Sequence, residues 1–227
     1  MTARDQILGG IRRSLGRGPL TGDAAAAVQQ RLSAHAANLI PARTENLDTE
    51  ELVGVFRTWA EAADMSIDRV ADAAAVPRAV TRYLARHNLP AEAAVSPDPS
   101  LDAYPWNEQP LLKLRKGRAE AADAVSITPA FAAIAETGTL VLTSGAERPT
   151  TLNLLPGTHI VVLRKDQVVG ASEAVWAKLR ATTSERGEAM PRTVNFISGP
   201  SRTGDIESIL QLGAHGPVRL HVIIVES

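Results

Sequence analysis

The segment that most constrains the fold of this chain is its last part, residues 195–226. An apolar run ends at residue 197 and leads into a polar loop, residues 198–205. Apolar residues then recur at positions 206, 209 and 210, which is the spacing of one face of a helix. A second apolar run covers residues 220–225. The segment therefore predicts a βαβ unit, which requires parallel strand pairing in a sheet that is covered on its faces.

The alternation of strand and helix patterns extends over the chain from residue 49 onward. We predict helices over residues 49–63, 73–87 and 172–182, and strands over residues 65–70, 91–95, 123–127, 139–143 and 159–164. Residues 131–136 are interpreted as a short helical turn. Asp48 and Glu51 have the spacing of a capping box, and Ser172 is the expected cap of the last helix. The alternation predicts an α/β fold with a mostly parallel sheet.

The amino-terminal quarter is predicted to form a helical region, residues 1–63, ahead of an α/β domain over residues 64–227. Ile7, Ile11 and Leu15 would share one face of the first helix. The connectors between these helices are long and polar, which favours an arm that extends at least partly from the domain over a layer packed on it. Such an arm is a candidate contact for a second copy of the chain or for a partner protein.

Composition limits the classes of function. The chain has 24 Lys+Arg and 25 Asp+Glu, so its net charge of −1 does not favour nucleic acid. It has no apolar run of about 18 residues and no apolar leader stretch, so no membrane span is predicted and a cytoplasmic location is expected. The chain also has no cysteine. It therefore lacks thiolate nucleophiles and the ligands of a cysteine-bound iron–sulfur cluster.

The polar loop at residues 198–205 is the first candidate site. The N–H groups at the start of a helix bind anions, and Arg202 has a planar fork that matches a carboxylate or a phosphate. The candidate ligand-binding residues of this loop are Ser198, Gly199, Pro200, Ser201, Arg202, Thr203 and Asp205. The alternative is that Ser201 or Thr203 only caps the helix and that Arg202 faces solvent.

A second candidate site is the turn formed by Glu136, Thr137, Gly138 and Thr139. Gly138 permits a positive φ or the close approach of a ligand. Glu136 would then hold a substrate hydroxyl, act as a general base or form a covalent intermediate. The alternative is a surface glutamate followed by a glycine that ends a helical turn. Thr137, Gly138 and Thr139 are candidate ligand-binding residues beside it.

Two further residues are candidates on their own. Arg148 would complete a cationic pocket for a carboxylate, or it is simply solvated. His215 precedes Gly216-Pro217 and is a candidate proton carrier, or it bonds to the backbone of the turn. His221 lies in an apolar strand, which favours a role in the core. No two histidines have a helical spacing with a carboxylate, so no metal site is predicted.

Three stretches of the sequence also carry a family resemblance. They are SGPSRTGDIE at 198–207 with GAHGP at 213–217, AETGTLVL at 135–142, and RDQIL at 4–8. Together they resemble the lactate utilization protein C family (LutC/YkgG, the LUD domain), although Gly204 stands where alanine is expected. The resemblance implies a NagB/RpiA/CoA-transferase-like fold, which is a three-layer α/β/α arrangement. It also implies a part in the oxidation of L-lactate to pyruvate beside iron–sulfur partner proteins.

The absence of cysteine fits the cluster-free member of such a system, which would bind a small anionic ligand, a partner, or both. No cofactor is expected in this chain, so the electron carrier would belong to the partners. Two alternatives remain open. One is a stand-alone enzyme of CoA-transferase-like fold acting on a phosphorylated or carboxylated metabolite. The other is a non-catalytic scaffold. The turn at Glu136 and the loop at Ser198 are predicted to share a cleft at the carboxyl edge of the sheet.

Overall fold

The computed structural model describes residues 2–37, 40, 42–187, 189–204 and 210–227. By its internal contacts the chain divides into two compact units, Met1–Leu39 and Ile40–Ser227. The first unit contains helices α1 (Ala3–Ser14) and α2 (Gly22–Ala34). None of the helices in the described ranges is long and apolar enough to cross a membrane.

The structure places the boundary between the units earlier than residue 63. Helix α3 (Thr49–Ala62) begins with the capping box of Asp48 and Glu51 that the sequence predicts. Its Val53, Phe56 and Ala60 are fully buried in the core of the larger unit. The amphipathic pattern of α3 therefore reflects packing within the α/β unit, and only α1 and α2 belong to the amino-terminal unit.

The larger unit alternates strands with helices. Its other helices are α4 (Val76–Arg86), α5 (Thr151–Leu154) and α6 (Ser172–Glu185). Its strands are β1 (Ser66–Val70), β2 (Glu92–Val95), β3 (Lys113–Lys116), β4 (Val125–Pro129), β5 (Ala132–Ile134), β6 (Thr139–Thr143), β7 (Thr158–Arg164), β8 (Val168–Val169), β9 (Val194–Ile197), β10 (Arg202–Gly204), β11 (Leu210–Leu212) and β12 (Arg219–Val225). Strand β3 and helix α5 are not predicted from the sequence.

The central sheet is wholly parallel, with the strand order β1–β12–β7–β4–β2–β3. This confirms the predicted α/β fold with a mostly parallel sheet. Helix α4 packs Val80 and Leu84 on one face, and α3 packs on the other. Successive side chains of β12 point to opposite faces of the central sheet. Ile223 packs in the core on the α4 side, and Ile224 packs in the core on the α3 side.

A second sheet, β8–β5–β6–β9, lies on the same face of the central sheet as α3. Leu140 and Leu142 of β6 point toward the central sheet, whereas Val141 points away and contacts Val175 of α6. The prediction of a helical turn over residues 131–136 is wrong, because β5 occupies half of this range and only a short 3₁₀ turn, Ala135–Thr137, follows. The cap of α6 is Ala171 rather than Ser172.

The predicted βαβ unit at the carboxyl end is also wrong. Strand β9 pairs antiparallel with β6 in the second sheet, whereas β12 lies in the central sheet. Between them, β10 and β11 form an antiparallel hairpin. Residues 205–209, where the predicted helix would begin, lie outside the described residues, and its continuation at Leu210–Leu212 is a strand. This stretch alternates apolar and polar residues, which suits a strand as well as a helix end.

Candidate functional site

The two sequence motifs meet in the structure through a chain of hydroxyl groups. The Thr139 Oγ1 and Ser198 Oγ atoms are 2.6 Å apart, and the Thr139 and Thr137 hydroxyls are 2.7 Å apart. The contact follows from the antiparallel pairing of β6 with β9, which places the start of one strand beside the end of the other. The turn at Thr139 and the loop at Ser198 are therefore in direct contact.

Two glycines of these motifs are required by close packing on the end of α3. Gly138 has φ +60°, and a Cβ atom there would lie 2.4 Å from the Ala60 backbone nitrogen. Gly199 has φ +101°, and its Cβ would lie 2.4 Å from the Ala63 carbonyl oxygen. Any side chain would collide with backbone at both positions, so α3 is a platform on which both motifs rest.

Arg202 also contacts this platform. Its guanidinium forms an ion pair with Asp64 and lies 3.5 Å from the Ala63 carbonyl oxygen. Thr203 lies opposite Gln211 in the β10–β11 hairpin, and Asp205 lies outside the described residues. No helix follows the loop within the described residues. In this part of the chain, no N–H groups of a helix start are therefore available to bind an anion. The guanidinium of Arg202 is engaged in holding the loop.

A cavity of about 220 Å³ lies under the loop. We call it the loop cavity; it is lined by the Ser198–Ser201 loop, the His215–Pro217 turn, Asn153 and His159, with Phe196 and Leu220 among its apolar walls. His159 and Leu220 are the second residues of their strands. The cavity therefore lies at the amino ends of β7 and β12, so the predicted position at the carboxyl edge is wrong. The parallel-sheet rule does not apply because β9 belongs to the second sheet.

Hydrogen bonds join the loop to the turn that carries His215. The Ser201 N–H donates to the Pro217 carbonyl oxygen at 2.8 Å, and the Gly213 N–H donates to the Ser201 carbonyl oxygen at 2.9 Å. The His215 N–H lies 3.3 Å from Ser201 Oγ. The backbone thus places the side chain of His215 at the cavity and does not use its imidazole for the purpose.

His159 also lines the cavity, and its burial and its hydrogen bonding cannot be predicted from the sequence. Its side chain is fully buried, and its Nε2 lies 2.7 Å from the Thr128 hydroxyl. Its Nδ1 has no hydrogen-bond partner among the described residues. Burial lowers the pKa of His159 from 6.5 to about 3, so the ring is neutral. A neutral imidazole with one unsatisfied nitrogen is suited to bind a hydroxyl or carboxyl group.

Glu136 lies in a different environment. Its N–H donates to the Gly170 carbonyl oxygen at 3.1 Å, and its Oε1 is 3.4 Å from the Ser172 N–H at the start of α6. The side chain is buried, and its Oε2 has no hydrogen-bond partner among the described residues. Glu136 does not line the loop cavity. Its position favours a carboxylate that stabilises the amino end of α6.

His221 lies in the core, on the α4 side of β12. Its Nδ1 is 2.9 Å from the Ser66 hydroxyl, and its ring stacks on Tyr83 with the ring centres 3.9 Å apart. Burial lowers the pKa of His221 from 6.5 to about 4. The structure therefore places His221 as the sequence predicts, in a packing role away from the loop cavity.

Arg148 lies at a different place, in a cleft at the carboxyl ends of the central strands. This cleft is lined by Asp98 after β2, Pro129 of β4 and Arg164 of β7. The structure therefore separates Arg148 from the Ser198 loop, and the two do not form one pocket.

Comparison with known proteins identifies the family. The LUD domain matches residues 53–225, most of the chain, and the chain therefore belongs to the LUD-domain family. A crystal structure of a DUF162 family protein from Deinococcus radiodurans is similar over 79% of this chain and 99% of that chain. The TM-score is 0.59 and the sequence identity is 25%.

Curated relatives match over shorter segments. "Lactate utilization protein C" of Halalkalibacterium halodurans is 41% identical over 109 residues, covering 48% of this chain and 46% of the relative. The uncharacterized protein YkgG of Escherichia coli is 40% identical over 102 residues, covering 45% and 44%. Each match thus spans about half the length of the relative.

Proposed function

We propose that this chain is a cluster-free component of a system that oxidises L-lactate to pyruvate, and that the loop cavity binds the small carboxylate. The relatives named lactate utilization protein C support the pathway. The main support for this site is the contact between the family's two motifs. The hydroxyl oxygens of Thr139 and Ser198 lie 2.6 Å apart, and Ser198 lines this cavity.

The size of the cavity supports a small metabolite. Its volume of about 220 Å³ is roughly seven times the ~30 Å³ that one water molecule takes in the liquid. It lies below the ~300–1,000 Å³ of pockets that hold drug-sized ligands. A three-carbon acid fits this space, whereas a nucleotide does not.

The polar groups around the cavity support a hydroxy or oxo acid. The hydroxyls of Ser198 and Ser201 supply donors for a carboxylate. The neutral ring of His159 supplies a partner for the adjacent hydroxyl or oxo group, and His215 supplies a second ring that can exchange a proton. The buried side chain of Leu220 forms an apolar wall that lowers the local dielectric and strengthens these contacts.

The oxidation itself needs a second protein. Two electrons leave L-lactate when it becomes pyruvate, and the chain has no cysteine to hold an iron–sulfur cluster that would accept them. The chain would bind and orient the substrate, and partner proteins would carry the electrons. Pure chain should therefore bind L-lactate without turning it over, and adding iron–sulfur partners should start turnover. Turnover by the pure chain would contradict this division of labour.

Ligand binding is tested by thermal unfolding with L-lactate, pyruvate and acetate. A ligand at about 100 times its dissociation constant adds ~2.7 kcal/mol to the free energy of unfolding, or roughly 5–11 °C in Tm for a domain of this size. His215→Ala should weaken the L-lactate effect. His35→Ala, in the amino-terminal unit, is the matched control and should leave the effect unchanged. Equal loss in both variants would remove His215 from the site.

A further inference from the structure

A second site lies at the opposite edge of the central sheet. Two adjoining cavities, of about 450 and 940 Å³, share Phe131, Glu147, Arg148, Thr182 and Arg186 as lining residues. We call them together the basic cleft. It opens at the carboxyl ends of β4 and β7, which is where open α/β sheets usually bind their ligands.

The walls of the basic cleft concentrate positive charge. Its cations are Arg148, Arg164, Lys178, Arg186 and Arg192. The carboxylates that face them are Asp98 and Glu147 in the walls and Asp166 beside Arg164. Among the described residues, five cations thus meet three carboxylates, in a chain whose net charge is −1. Such a local excess of cations attracts anions.

Several of these cations are not used by the fold. Arg164 is neutralised by Asp166, with both contacts at 3.0 Å. By contrast, no carboxylate of the described residues forms a close ion pair with Lys178, Arg186 or Arg192, although Asp166 attracts Lys178 from a longer distance. Burial lowers the pKa of Lys178, and its ammonium group lies 5.6 Å from the centre of the Phe131 ring. A partly desolvated ammonium group gains from an anion that replaces the lost water.

Arg148 is held with part of its guanidinium unsatisfied. Its Nε is buried and has no hydrogen-bond partner among the described residues, and the nearest carboxylate oxygen, Asp98 Oδ2, is 3.7 Å away. That carboxylate is itself fixed, because the Ser100 N–H and hydroxyl donate to Asp98 Oδ1 at 3.0 and 2.6 Å. The loop of Arg148 is fixed by a hydrogen bond of 2.6 Å from the Ser96 hydroxyl to the Glu147 carbonyl oxygen. The Arg148 side chain, which is 30% exposed, is therefore held at a fixed place beside the cleft.

We propose that the basic cleft binds a phosphorylated anion, a metabolite or cofactor that carries a phosphate or pyrophosphate group. A phosphate group carries about −1.5 to −2 charges near neutral pH and has three acceptor oxygens, so it satisfies several cations at once. A monocarboxylate satisfies only one guanidinium in its two-pronged geometry and leaves the rest of the cluster unpaired. The cleft volume also exceeds what a three-carbon acid would fill.

Calorimetric titration of the full chain with inorganic pyrophosphate, phosphate and acetate tests this site. Pyrophosphate should bind most tightly and acetate least, and raising the salt concentration should weaken all three. Lys178→Met and Arg186→Gln should each weaken pyrophosphate binding about tenfold, as expected for the loss of one charge-assisted contact. Lys178→Met keeps most of the apolar length of the side chain, so its folding is preserved.

The matched control is Arg78→Gln on α4, which packs on the other face of the central sheet. It removes the same charge outside the cleft and should change pyrophosphate affinity less than about twofold, since a distant exposed charge is screened. The proposal is overturned if pyrophosphate does not bind, if acetate binds as tightly, or if the three variants weaken binding equally. L-lactate binding at the loop cavity should be the same in all three variants, so the two sites fail or succeed separately.

Discussion

Replacing Gly138 by alanine should destabilise the larger unit by much more than its positive φ alone requires. The new methyl group would lie 2.4 Å from the Ala60 nitrogen and 2.6 Å from the Trp59 carbonyl carbon. Both are backbone atoms of α3 and have no rotamer that avoids the contact. Gly187 offers a matched control, because it has φ +63° with no atom within 4 Å of its Cβ position.

The two variants separate backbone strain from collision. Gly187→Ala should lower the free energy of unfolding by about 1–2 kcal/mol, which is the cost of placing alanine in the left-handed backbone conformation. Gly138→Ala should lower the free energy of unfolding by roughly 1–3 kcal/mol more than Gly187→Ala does, because α3 must move away from the turn. Each kcal/mol lowers Tm by about 2–4 °C in a domain of this size.

Urea unfolding followed by tryptophan fluorescence measures the difference. All three tryptophans, Trp59, Trp106 and Trp176, lie in the larger unit, so the signal reports on the unit that contains both glycines. If the two variants agree within about 0.5 kcal/mol, which is the usual error of additivity, the platform role of α3 is refuted.

Three further outcomes follow from the site. The folded pKa of His159, about 3, lies below its ordinary 6.5, so the folded state resists the proton that the unfolded state binds. Stability should be unaffected by this group above pH 6.5 and should fall toward pH 3 by up to ~1.4 kcal/mol per pH unit. His159→Gln should make the pH dependence of urea-derived stability less steep over that window, with the contribution of His221 remaining above its pKa of about 4, and an unchanged slope would contradict the assignment. A double-mutant cycle of Thr139→Val with Ser198→Ala should give a coupling of about 0.5–1.5 kcal/mol, and a coupling near zero would mean that the contact contributes nothing. Arg202→Ala and Asp64→Ala should each cost below ~1 kcal/mol, as exposed pairs do, and the double variant should cost no more than either; loss of L-lactate binding in Arg202→Ala with unchanged stability would assign Arg202 to the ligand instead.

The sequence predicts those parts of the fold that depend on neighbours along the chain. The capping box of Asp48 and Glu51 and the buried strand over residues 159–164 are local signals, and both appear in the structure. Strand β5 is too short, at three residues, to show a periodicity. The assignment of β9 and β12 to different sheets depends on pairing partners far away in the sequence, which no local pattern contains.

The candidate site divides in the same way. The motifs around Thr139 and Ser198 can be read from the sequence, which predicts that they share a cleft at the carboxyl edge of the sheet. The structure brings the two motifs into contact, but the cavity beside Ser198 lies at the amino ends of β7 and β12. The buried state of His159 depends on Thr128 in a neighbouring strand, and a histidine at a strand end carries no sign of it. The basic cleft joins Arg148 to Lys178 of α6 and to Arg186 directly after α6, and this grouping exists only once α6 has packed on the second sheet.

A crystal structure of the full chain with L-lactate is the most direct test of the proposed site. We expect electron density for the acid in the loop cavity, with its carboxylate hydrogen-bonded to the hydroxyl of Ser198 or Ser201 and its 2-hydroxyl beside His159. Density for L-lactate in the basic cleft, with the loop cavity empty, would contradict it.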